Sequence, residues 1–407
     1  MLYKRHMEKT LKKAFSMFGA VLVTGARQVG KTTILKESFS EIDYITLDDP
    51  FILQSANIES GAFFKDHQPP IIIDEIQYSP KLFPFMKIII DKEQVNGLFL
   101  LSGSQQFQLM KNVVESLAGR LGILNLCGLS LREIKSIDFS DPFIPNEKFF
   151  QARKKQLEEI DNKELWKLIH RGTMPKMQSD INIDWALYYS SYVKTYIERD
   201  VRDLAQVGDE IKFLQFMTVI AANSGQLLNI SGISREIGVS APTINRWLSI
   251  LSASGIIYLL RPYHNNLTKR TIKTPKLYFL DTGLLAYLTK WNTPEVMQTG
   301  AMAGIFFETF VISEVIKSYY NAGLLDLPLY FYRDKDQVEI DLLIESEGSL
   351  HPIEIKKHAD PDKKDIKAFK VLNNLPNIKR GSGGVICLYD KLLTIQENDR
   401  VIPIKYL

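Results

Sequence analysis

Cysteine is scarce in this sequence: its 407 residues include two, Cys127 and Cys387. They lie far apart and fit no spacing of metal-binding or redox cysteine pairs, so the sequence gives no indication of a zinc site or a disulfide framework. We expect both to be reduced core residues, as is usual in a reducing compartment.

Long apolar runs and an excess of one charge are also missing. The longest apolar runs, such as residues 71–73 and 98–101, are far shorter than the ~20 residues of a membrane helix, and residues 1–10 lack the apolar stretch of a signal peptide. The sequence therefore predicts a cytoplasmic protein with no membrane partner. Its formal net charge of +3 neither requires nor excludes nucleic acid.

The length and the apolar pattern predict several domains. At roughly 150 residues per domain, two to four are expected. Short β-rich runs alternate with helical stretches between residues 20 and 131, which predicts a parallel sheet flanked by helices. The predicted strands are residues 20–24, 44–47, 71–73, 98–102 and 121–126.

A glycine-rich loop follows the first predicted strand. Residues 25–32, Gly-Ala-Arg-Gln-Val-Gly-Lys-Thr, match the G-x-x-x-x-G-K-[ST] pattern of a phosphate-binding loop and lie before a predicted helix. Its backbone N–H groups and the helix amino terminus suit phosphate, with Lys31 bridging the β- and γ-phosphates and Thr32 ligating Mg²⁺. The residues predicted to bind ATP are Gly25, Ala26, Arg27, Gln28, Val29, Gly30, Lys31, Thr32 and Thr33.

Acidic residues follow the third predicted strand. Asp74 and Glu75 come directly after the isoleucines of residues 71–73. In a P-loop site, Asp74 would hold Mg²⁺ through a coordinated water, and Glu75 would orient and deprotonate the attacking water. The alternative for the pair alone is a solvated loop at a strand end.

Two further positions fit roles at the γ-phosphate. Ser104, or else Ser102, follows the fourth predicted strand, where a polar sensor is expected; a helix cap is the alternative. Arg120 precedes the fifth strand and is predicted to act as an arginine finger, in cis or in trans. A surface ion pair is its alternative.

A helical region occupies the middle of the chain. Residues 138–162 are polar and charged and predict a boundary, and residues 164–222 predict a helical module. Two short helices around residues 238–240, followed by an apolar ribbon, predict a winged helix-turn-helix. Its second helix has Thr243, Asn245 and Arg246 on the polar side for a DNA major groove, although such modules also bind proteins. Basic residues downstream favour DNA slightly: Lys269, Arg270, Lys273 and Lys276.

The last part of the chain predicts a small α/β domain with a carboxylate site. Asp341 lies on one predicted strand and Glu354 and Lys356 on the next, with Glu308 on a preceding helix. The carboxylates are predicted to hold Mg²⁺ and Lys356 to stabilise or activate water, a pattern that resembles the D…E-x-K core of PD-(D/E)xK nucleases. A solvated strand face, or a related fold that binds without cleaving, is the alternative. Nearby lysines would follow a phosphate backbone or lie on a solvated helix face: Lys357, Lys363, Lys364 and Lys367.

Taken together, several segments resemble one prokaryotic AAA-type ATPase family whose members carry a carboxy-terminal domain of unassigned function. The amino-terminal segments are residues 24–33, 73–77, 102–105 and 116–120, and the later ones are residues 192–201, 273–279 and 281–283. This chain departs from the family pattern in having serine at Ser102 and a less glycine-rich turn at residues 171–175. The resemblance implies ATP binding and leaves the biological role open.

The sequence therefore predicts an α/β protein in four parts. These are an AAA-type P-loop ATPase core (residues 1–137), a helical module (138–222), a winged helix (223–299) and a restriction-endonuclease-like domain (300–407). The main hypothesis is a Mg²⁺-dependent ATPase that drives a DNA-associated winged-helix and nuclease-like module. The alternatives are a signalling ATPase that binds a protein partner without nuclease activity, and an ATP-dependent DNA nuclease of defence or mobile-element type. Self-association is left open.

Overall fold

The computed structural model describes residues 2–103, 116–196, 210–264, 274–375 and 378–407. The helices are α1 (Met7–Met17), α2 (Lys31–Ser38), α3 (Pro50–Ile58), α4 (Ser60–Asp66), α5 (Leu82–Glu93), α6 (Leu131–Ile134), α7 (Glu147–Lys154), α8 (Asn162–Arg171), α9 (Pro175–Ser179), α10 (Trp185–Tyr196), α11 (Glu210–Ala222), α12 (Ile230–Ile237), α13 (Ala241–Ala253), α14 (Thr282–Leu288), α15 (Pro294–Thr299) and α16 (Ala303–Asn321). The strands are β1 (Ala20–Thr24), β2 (Asp43–Thr46), β3 (Ile71–Asp74), β4 (Phe99–Ser102), β5 (Leu121–Asn125), β6 (Ile257–Pro262), β7 (Lys276–Phe279), β8 (Leu329–Arg333), β9 (Glu339–Ser346), β10 (Ser349–Lys356), β11 (Lys379–Arg380), β12 (Gly383–Cys387), β13 (Leu393–Gln396) and β14 (Asp399–Pro403).

The first sheet contains five parallel strands in the order β2-β3-β4-β1-β5. Strands β1, β3 and β4 are buried along their whole length, which explains their unbroken apolar sequences, since helices cover both faces of such a sheet. Because β4 lies between β1 and β3, the carboxyl ends of these three strands meet at one edge. The parallel sheet predicted for this region is confirmed, and its strand bounds differ from the prediction by one residue at most.

The second sheet has nine strands and extends across a predicted domain boundary. Its order is β13-β14-β12-β10-β9-β8-β6-β7, with β11 paired to β10. Strand β6 pairs with β8 in parallel through Arg261 with Tyr330 and Pro262 with Phe331. The hairpin of β6 and β7, which comes from the region predicted as a winged helix, is therefore continuous with the carboxy-terminal sheet.

Helices α12 and α13 lie in the segment predicted as a winged helix-turn-helix, and the winged-helix assignment stays a prediction. Asn229 and Ser240 cap α12 and α13, and Gly238 at φ 72° allows the left-handed turn between them. Trp247 of α13 packs against the rings of Phe213 and Phe216 of α11, each with a centroid separation of 5.2 Å. This aromatic cluster therefore joins α13 to α11.

The polar stretch predicted as a boundary contains packed structure. Phe143, Phe149 and Phe150 are buried, and the ring of Phe150 lies 5.6 Å from that of Tyr406 near the carboxyl terminus. Arg153 of α7, also buried, donates a hydrogen bond of 2.8 Å to the carbonyl of Lys405. The aromatic residues within this charged stretch explain why residues 143–154 join the core.

A buried ion pair within helix α16 also bonds to the segment that follows the first sheet. Lys317 Nζ lies 2.8 Å from Glu314 Oε1, and both side chains are almost fully buried. Lys317 also donates to the carbonyl of Leu129 and to Thr173 Oγ1, each at 3.1 Å, while Glu314 Oε2 accepts from the backbone N–H of Leu131 at 2.6 Å. Three separate stretches of the chain are thereby joined at one point.

Thr173 extends this network to α14. Asp281 Oδ2 accepts from the backbone N–H of Thr173 at 2.6 Å, and Asp281 Oδ1 accepts from the hydroxyl of Tyr189 at 2.7 Å. The same carboxylate caps α14 through the N–H of Leu284. The turn at Thr173 is therefore fixed from both sides.

The expectation that both cysteines are core residues is confirmed. Cys127 and Cys387 are buried free thiols, and burial raises the pKa of both. Among the described residues, no helix is long and apolar enough to cross a membrane.

We predict that Lys317→Ala lowers the free energy of unfolding by about 3 to 5 kcal/mol, because it leaves Glu314 buried without its counter-charge. Urea unfolding followed by tryptophan fluorescence measures this. Lys12→Ala is the control, since Lys12 forms an exposed pair with Glu8 on α1 and such pairs contribute below about 1 kcal/mol. Equal, small effects of the two substitutions would show that the buried pair is not important for stability.

Candidate functional site

The phosphate-binding loop connects β1 to α2 through two glycines with positive φ angles. Gly25 has φ 139°, and a Cβ there would lie 2.0 Å from the carbonyl oxygen of Leu126. Gly30 has φ 96° and directly precedes α2. At residue 25, the positive φ angle and the nearby carbonyl of Leu126 both exclude a side chain, which explains the first glycine of the motif.

Lys31 lies inside this loop. Its side chain is buried, and Nζ donates to the carbonyls of Gly25 at 3.1 Å and Ala26 at 2.9 Å. The charged oxygens of a phosphate are stronger acceptors than these neutral carbonyls. The ammonium is therefore already positioned for an anion bound in the loop.

Asp74 ends β3 and receives three hydrogen bonds. The hydroxyls of Thr32 and Tyr44 donate to Oδ2 at 2.8 and 2.9 Å, and the hydroxyl of Ser102 donates to Oδ1. Burial, together with the charge of Asp74 and its hydrogen bond, raises the pKa of Tyr44 to about 12, so the phenol remains a donor. Thr32 and Asp74, the two residues predicted to surround Mg²⁺, are in direct contact.

Glu75 follows β3 in a left-handed backbone conformation, with φ 55°. Its backbone N–H points to Ser102 Oγ at 3.4 Å, and its carboxylate accepts from the side-chain amide of Gln77. Gln77 is buried, and in the described part of the chain its carbonyl oxygen has no hydrogen-bond partner. Gln77 therefore fixes the orientation of the predicted general base.

Of the two predicted sensor serines, Ser102 lies within the described residues and Ser104 does not. Ser102 ends β4 and contacts both Asp74 and Glu75, so it lies in the site. Ser104, the first choice, is outside the described residues, and its role stays a prediction.

Arg120 lies away from its own phosphate-binding loop. It precedes β5, and its carbonyl bonds to Ala20 N at the amino-terminal end of β1, whereas the loop follows the other end of that strand. Five residues of strand separate the two ends by roughly 16 Å. The guanidinium forms a partly exposed ion pair with Asp91, with Nε–Oδ1 2.5 Å, as the alternative interpretation expects.

A cleft separates the phosphate-binding loop from helices α9 and α10. Its cavity of about 800 Å³ is bounded on one side by Arg27, Gln28, Gly30, Lys31, Thr32, Thr33 and Glu75, and on the other by Pro175, Lys176, Tyr192 and Thr195. A second cavity of about 450 Å³ lies on the other side of Gly30 and Thr33, lined in part by Tyr3, Ile34 and Leu129. The first cavity is mainly bounded by the loop, and the second offers apolar and aromatic walls.

Two contacts attach the loop to its surroundings. Arg5 donates to the carbonyls of Val29 and Cys127, both at 2.7 Å, and pairs with the buried Glu133 at 3.1 Å. Tyr188 of α10 donates to Gln28 Oε1 at 2.8 Å. Neither the amino-terminal arginine nor the α10 tyrosine has a local sequence signal, because both contacts join residues far apart in the chain.

A second group of charged side chains lies on β9 and β10 of the second sheet. Lys356 Nζ lies 2.6 Å from Glu354 Oε1 and 3.8 Å from Asp341 Oδ2. Asp341 Oδ2 also accepts from the backbone N–H of Ile355 at 2.9 Å. The structure therefore brings together Asp341, Glu354 and Lys356, as the strand pattern predicts.

Glu308 of α16 faces this group from the helix layer. Its carboxylate accepts from the hydroxyl of Tyr278 at 2.6 Å and lies 3.7 Å from Lys276 Nζ. Burial, together with the charge of Asp341, raises the pKa of Glu308 to about 7 and that of Glu354 to about 8. Among the described residues, no group of three or more potential ligand side chains is arranged to hold a metal ion.

The basic residues proposed to follow DNA have different positions. Lys276 is buried and pairs with Glu339 at 2.5 Å, so the expectation of a surface contact there is wrong; its strand β7 turns the side chain toward the carboxylates. Lys269, Arg270 and Lys273 lie outside the described residues. Lys357 donates to the carbonyl of Gln298, and three other lysines are exposed: Lys363, Lys364 and Lys367.

On α13 the polar and apolar sides separate as predicted. Ile244, Trp247 and Leu248 are buried, whereas Asn245 and Arg246 are exposed and Thr243 is half-buried. The outward side of this helix is therefore accessible to a partner.

Protein-family models match three parts of the chain. A model described as "AAA domain" matches residues 18–135, and models described as domains of unknown function match residues 162–295 (DUF8612) and 303–407 (DUF4143). Two similar relatives are the uncharacterized protein Rv2008c of Mycobacterium tuberculosis and the uncharacterized protein Mb2031c of Mycobacterium bovis. Each is 29% identical over 375 residues, which cover 89% of this chain and 75% of the relative.

Similar solved structures include the Walker-type ATPase paby2304 of Pyrococcus abyssi, with a TM-score of 0.44, 14% identity and coverage of 69% of this chain and 94% of that one. Another is AMPPCP-bound DnaA from Aquifex aeolicus, with a TM-score of 0.30, 12% identity and coverage of 60% and 85%. The family match and the arrangement of Lys31, Thr32 and Asp74 do not depend on these overall similarities. Residues 18–135 thus match an AAA-domain model, and within them Thr32 and Asp74 contact each other beside the phosphate-binding loop.

Proposed function

We propose that this protein hydrolyses ATP with Mg²⁺ and couples hydrolysis to movement of its later domains. The observation that carries the proposal is the meeting of Lys31, Thr32, Asp74 and Glu75 at one edge of the first sheet. Thr32 and Asp74 share a 2.8 Å hydrogen bond at the position where both would face a bound cation.

The residues present suit both the cation and the nucleotide. A hydroxyl and a carboxylate are oxygen ligands of the kind that Mg²⁺ prefers, and Mg²⁺ supplies charge neutralisation of the phosphates when bound. Lys31 binds phosphate oxygens, and Glu75, oriented by Gln77, accepts a proton from water. The cavity beside Tyr3 and Ile34 offers an aromatic and apolar wall to the base.

Coupling is supported by the composition of the cleft. Pro175 and Tyr192, from the predicted helical module, form its far wall, so a nucleotide would contact two parts of the chain. Gly255, two residues after α13, also comes so close to the loop that a Cβ there would lie 3.2 Å from Ala26 N. The segment between α13 and β6 is therefore next to the phosphate-binding loop.

We predict that Lys31→Ala removes most ATP binding, whereas Glu75→Gln keeps binding and lowers turnover by about 10²- to 10⁴-fold, the usual contribution of a general base. Phosphate release and binding of a fluorescent ATP analogue measure the two effects, and chelation of Mg²⁺ should stop turnover. Lys92→Ala and Glu93→Gln, on the exposed end of α5, are controls. Undiminished turnover in either active-site variant would disprove the assignment.

Arg120 fits the arginine-finger role in trans only. It lies at the amino-terminal end of β1, whereas its own loop follows the carboxyl end, and its side chain is partly exposed. It would therefore reach the nucleotide site of a second copy of the chain. A guanidinium supplied in this way stabilises the charge that develops on the transferred phosphate.

Arg120→Ala is expected to lower turnover by about 10³-fold or more if the finger acts in trans. Mixing it with Lys31→Ala should restore part of the activity, since one copy then supplies the loop and the other the arginine. Asp91→Asn, which removes the ion pair and keeps the arginine, is the control. Full activity of Arg120→Ala would leave the ion pair as the role of this residue.

A second candidate function is metal-dependent DNA cleavage at Asp341, Glu354 and Lys356. It is supported by the direct contacts among these side chains and by the raised pKa of Glu354, which a bound cation would lower by attracting the charged form. The exposed side of α13, with Arg246, would hold the duplex. The competing proposal is a signalling ATPase whose later domains bind a protein.

We predict that the wild-type protein cleaves linear duplex DNA in Mg²⁺ or Mn²⁺ and that Asp341→Ala abolishes cleavage but keeps DNA binding. Arg246→Ala should instead weaken DNA binding, measured by fluorescence anisotropy. Glu347→Gln, an exposed carboxylate beyond β9, is the matched control. No cleavage by the wild type, or equal cleavage by Asp341→Ala, removes the nuclease candidate and leaves the protein-binding ATPase.

A further inference from the structure

We propose that Lys176 of helix α9 binds the polyphosphate of the nucleotide from the side opposite to the phosphate-binding loop. This inference rests on the proposed ATP site and names a residue outside the P-loop motifs. Lys176 has no sequence signal of its own, because it lies far from the P-loop motifs in the chain.

Lys176 lies at the centre of the cavities around the phosphate-binding loop. Lys176 lines both cavities that flank the loop, the one that contains Lys31 and Glu75 and the one that contains Tyr3. It also lines a third cavity of about 310 Å³ between Gln28 and Tyr188. Because Lys176 lines all three cavities, it lies where they meet, and two of these cavities also contain the loop residues Gly30 and Thr33.

The backbone around Lys176 is held by several contacts. Pro175 begins α9, which sets the backbone φ angle there. Arg171 Nε donates to the carbonyl of Met177 at 2.8 Å, and the hydroxyl of Tyr3 donates to that of Gln178 at 2.8 Å. The preceding Thr173 is held by Asp281. Lys176 therefore extends from a rigid support.

The charge of Lys176 suits an anionic ligand. The side chain is exposed to the cleft, and within the described residues it forms no ion pair, although Glu75 lines the same cavity. A lysine ammonium on a flexible four-carbon stem has three donors and no fixed geometry, which suits the oxygens of a polyphosphate. Because Lys31 and Lys176 line the same cavity from the loop and from α9, an anion bound there would be held between two cations.

The consequence is that the phosphates would connect the P-loop domain to the helical module directly. Because α9 is bonded through Thr173 and Asp281 to α14, a contact made at Lys176 acts on the same unit that carries the later domains. Loss of phosphate would break this contact and leave the loop side intact.

We expect Lys176→Ala to weaken binding of a fluorescent, non-hydrolysable ATP analogue by about 10- to 100-fold, the range for a hydrogen bond to a charged group. The affinity of Lys176→Ala should also depend less on salt concentration than that of the wild type, since one phosphate contact is lost. Lys176→Arg should retain most of the affinity. Lys167→Ala, an exposed lysine on α8 of the same module, is the control and should bind as the wild type does.

Wild-type affinity and wild-type salt dependence in Lys176→Ala would overturn the inference. So would equal losses in the alanine and arginine variants, because the effect would then come from packing rather than charge. Lys31→Ala, measured in parallel, separates the two claims. If the wild type binds the analogue and only Lys31→Ala loses it, the ATP site stands and the role of Lys176 fails; if the wild type does not bind, both fail.

Discussion

The ion pair of Lys317 with Glu314 is the constraint on which the relative placement of the domains depends. Unpaired charges in such a buried position would cost several kcal/mol, so the groups that satisfy them must stay in place. These groups come from the segment after β5, at Leu129 and Leu131, and from the turn at Thr173. The nucleotide-binding domain, the helical region and helix α16 therefore share one buried polar junction.

A second buried pair, Arg5 with Glu133, brings the phosphate-binding loop into the same framework. Arg5 bonds to the carbonyl of Val29 within the loop, and Glu133 belongs to α6, the helix that begins at Leu131. The loop is thus connected through a few hydrogen bonds to α16 and the second sheet. This arrangement gives a physical basis for proposing that events at the nucleotide affect the carboxy-terminal region.

Sequence reasoning succeeded where the signal is local and failed where it depends on tertiary contacts. The loop, Asp74 and Glu75 follow strands whose apolar runs are unmistakable, and strand alternation was sufficient to bring Asp341 next to Glu354. Tyr44 reaches Asp74 from the neighbouring strand β2, and Lys176 borders the cleft from a distant helix, so spacing could not indicate either residue. The position of Arg120 depends on strand direction, and the burial of Lys276 depends on a hairpin that joins the second sheet across the predicted boundary at residue 299.

The pairing of β6 with β8 has a geometric consequence. Helix α13 leads directly into β6, and β6 is part of the sheet that carries Asp341 and Glu354. The sheet therefore connects α13 to the carboxylate cluster and sets the distance and angle between them. Under the second candidate function, a duplex seated on that helix would meet the carboxylates at a set offset along its axis, so each cut would fall at a constant number of base pairs from the position recognised.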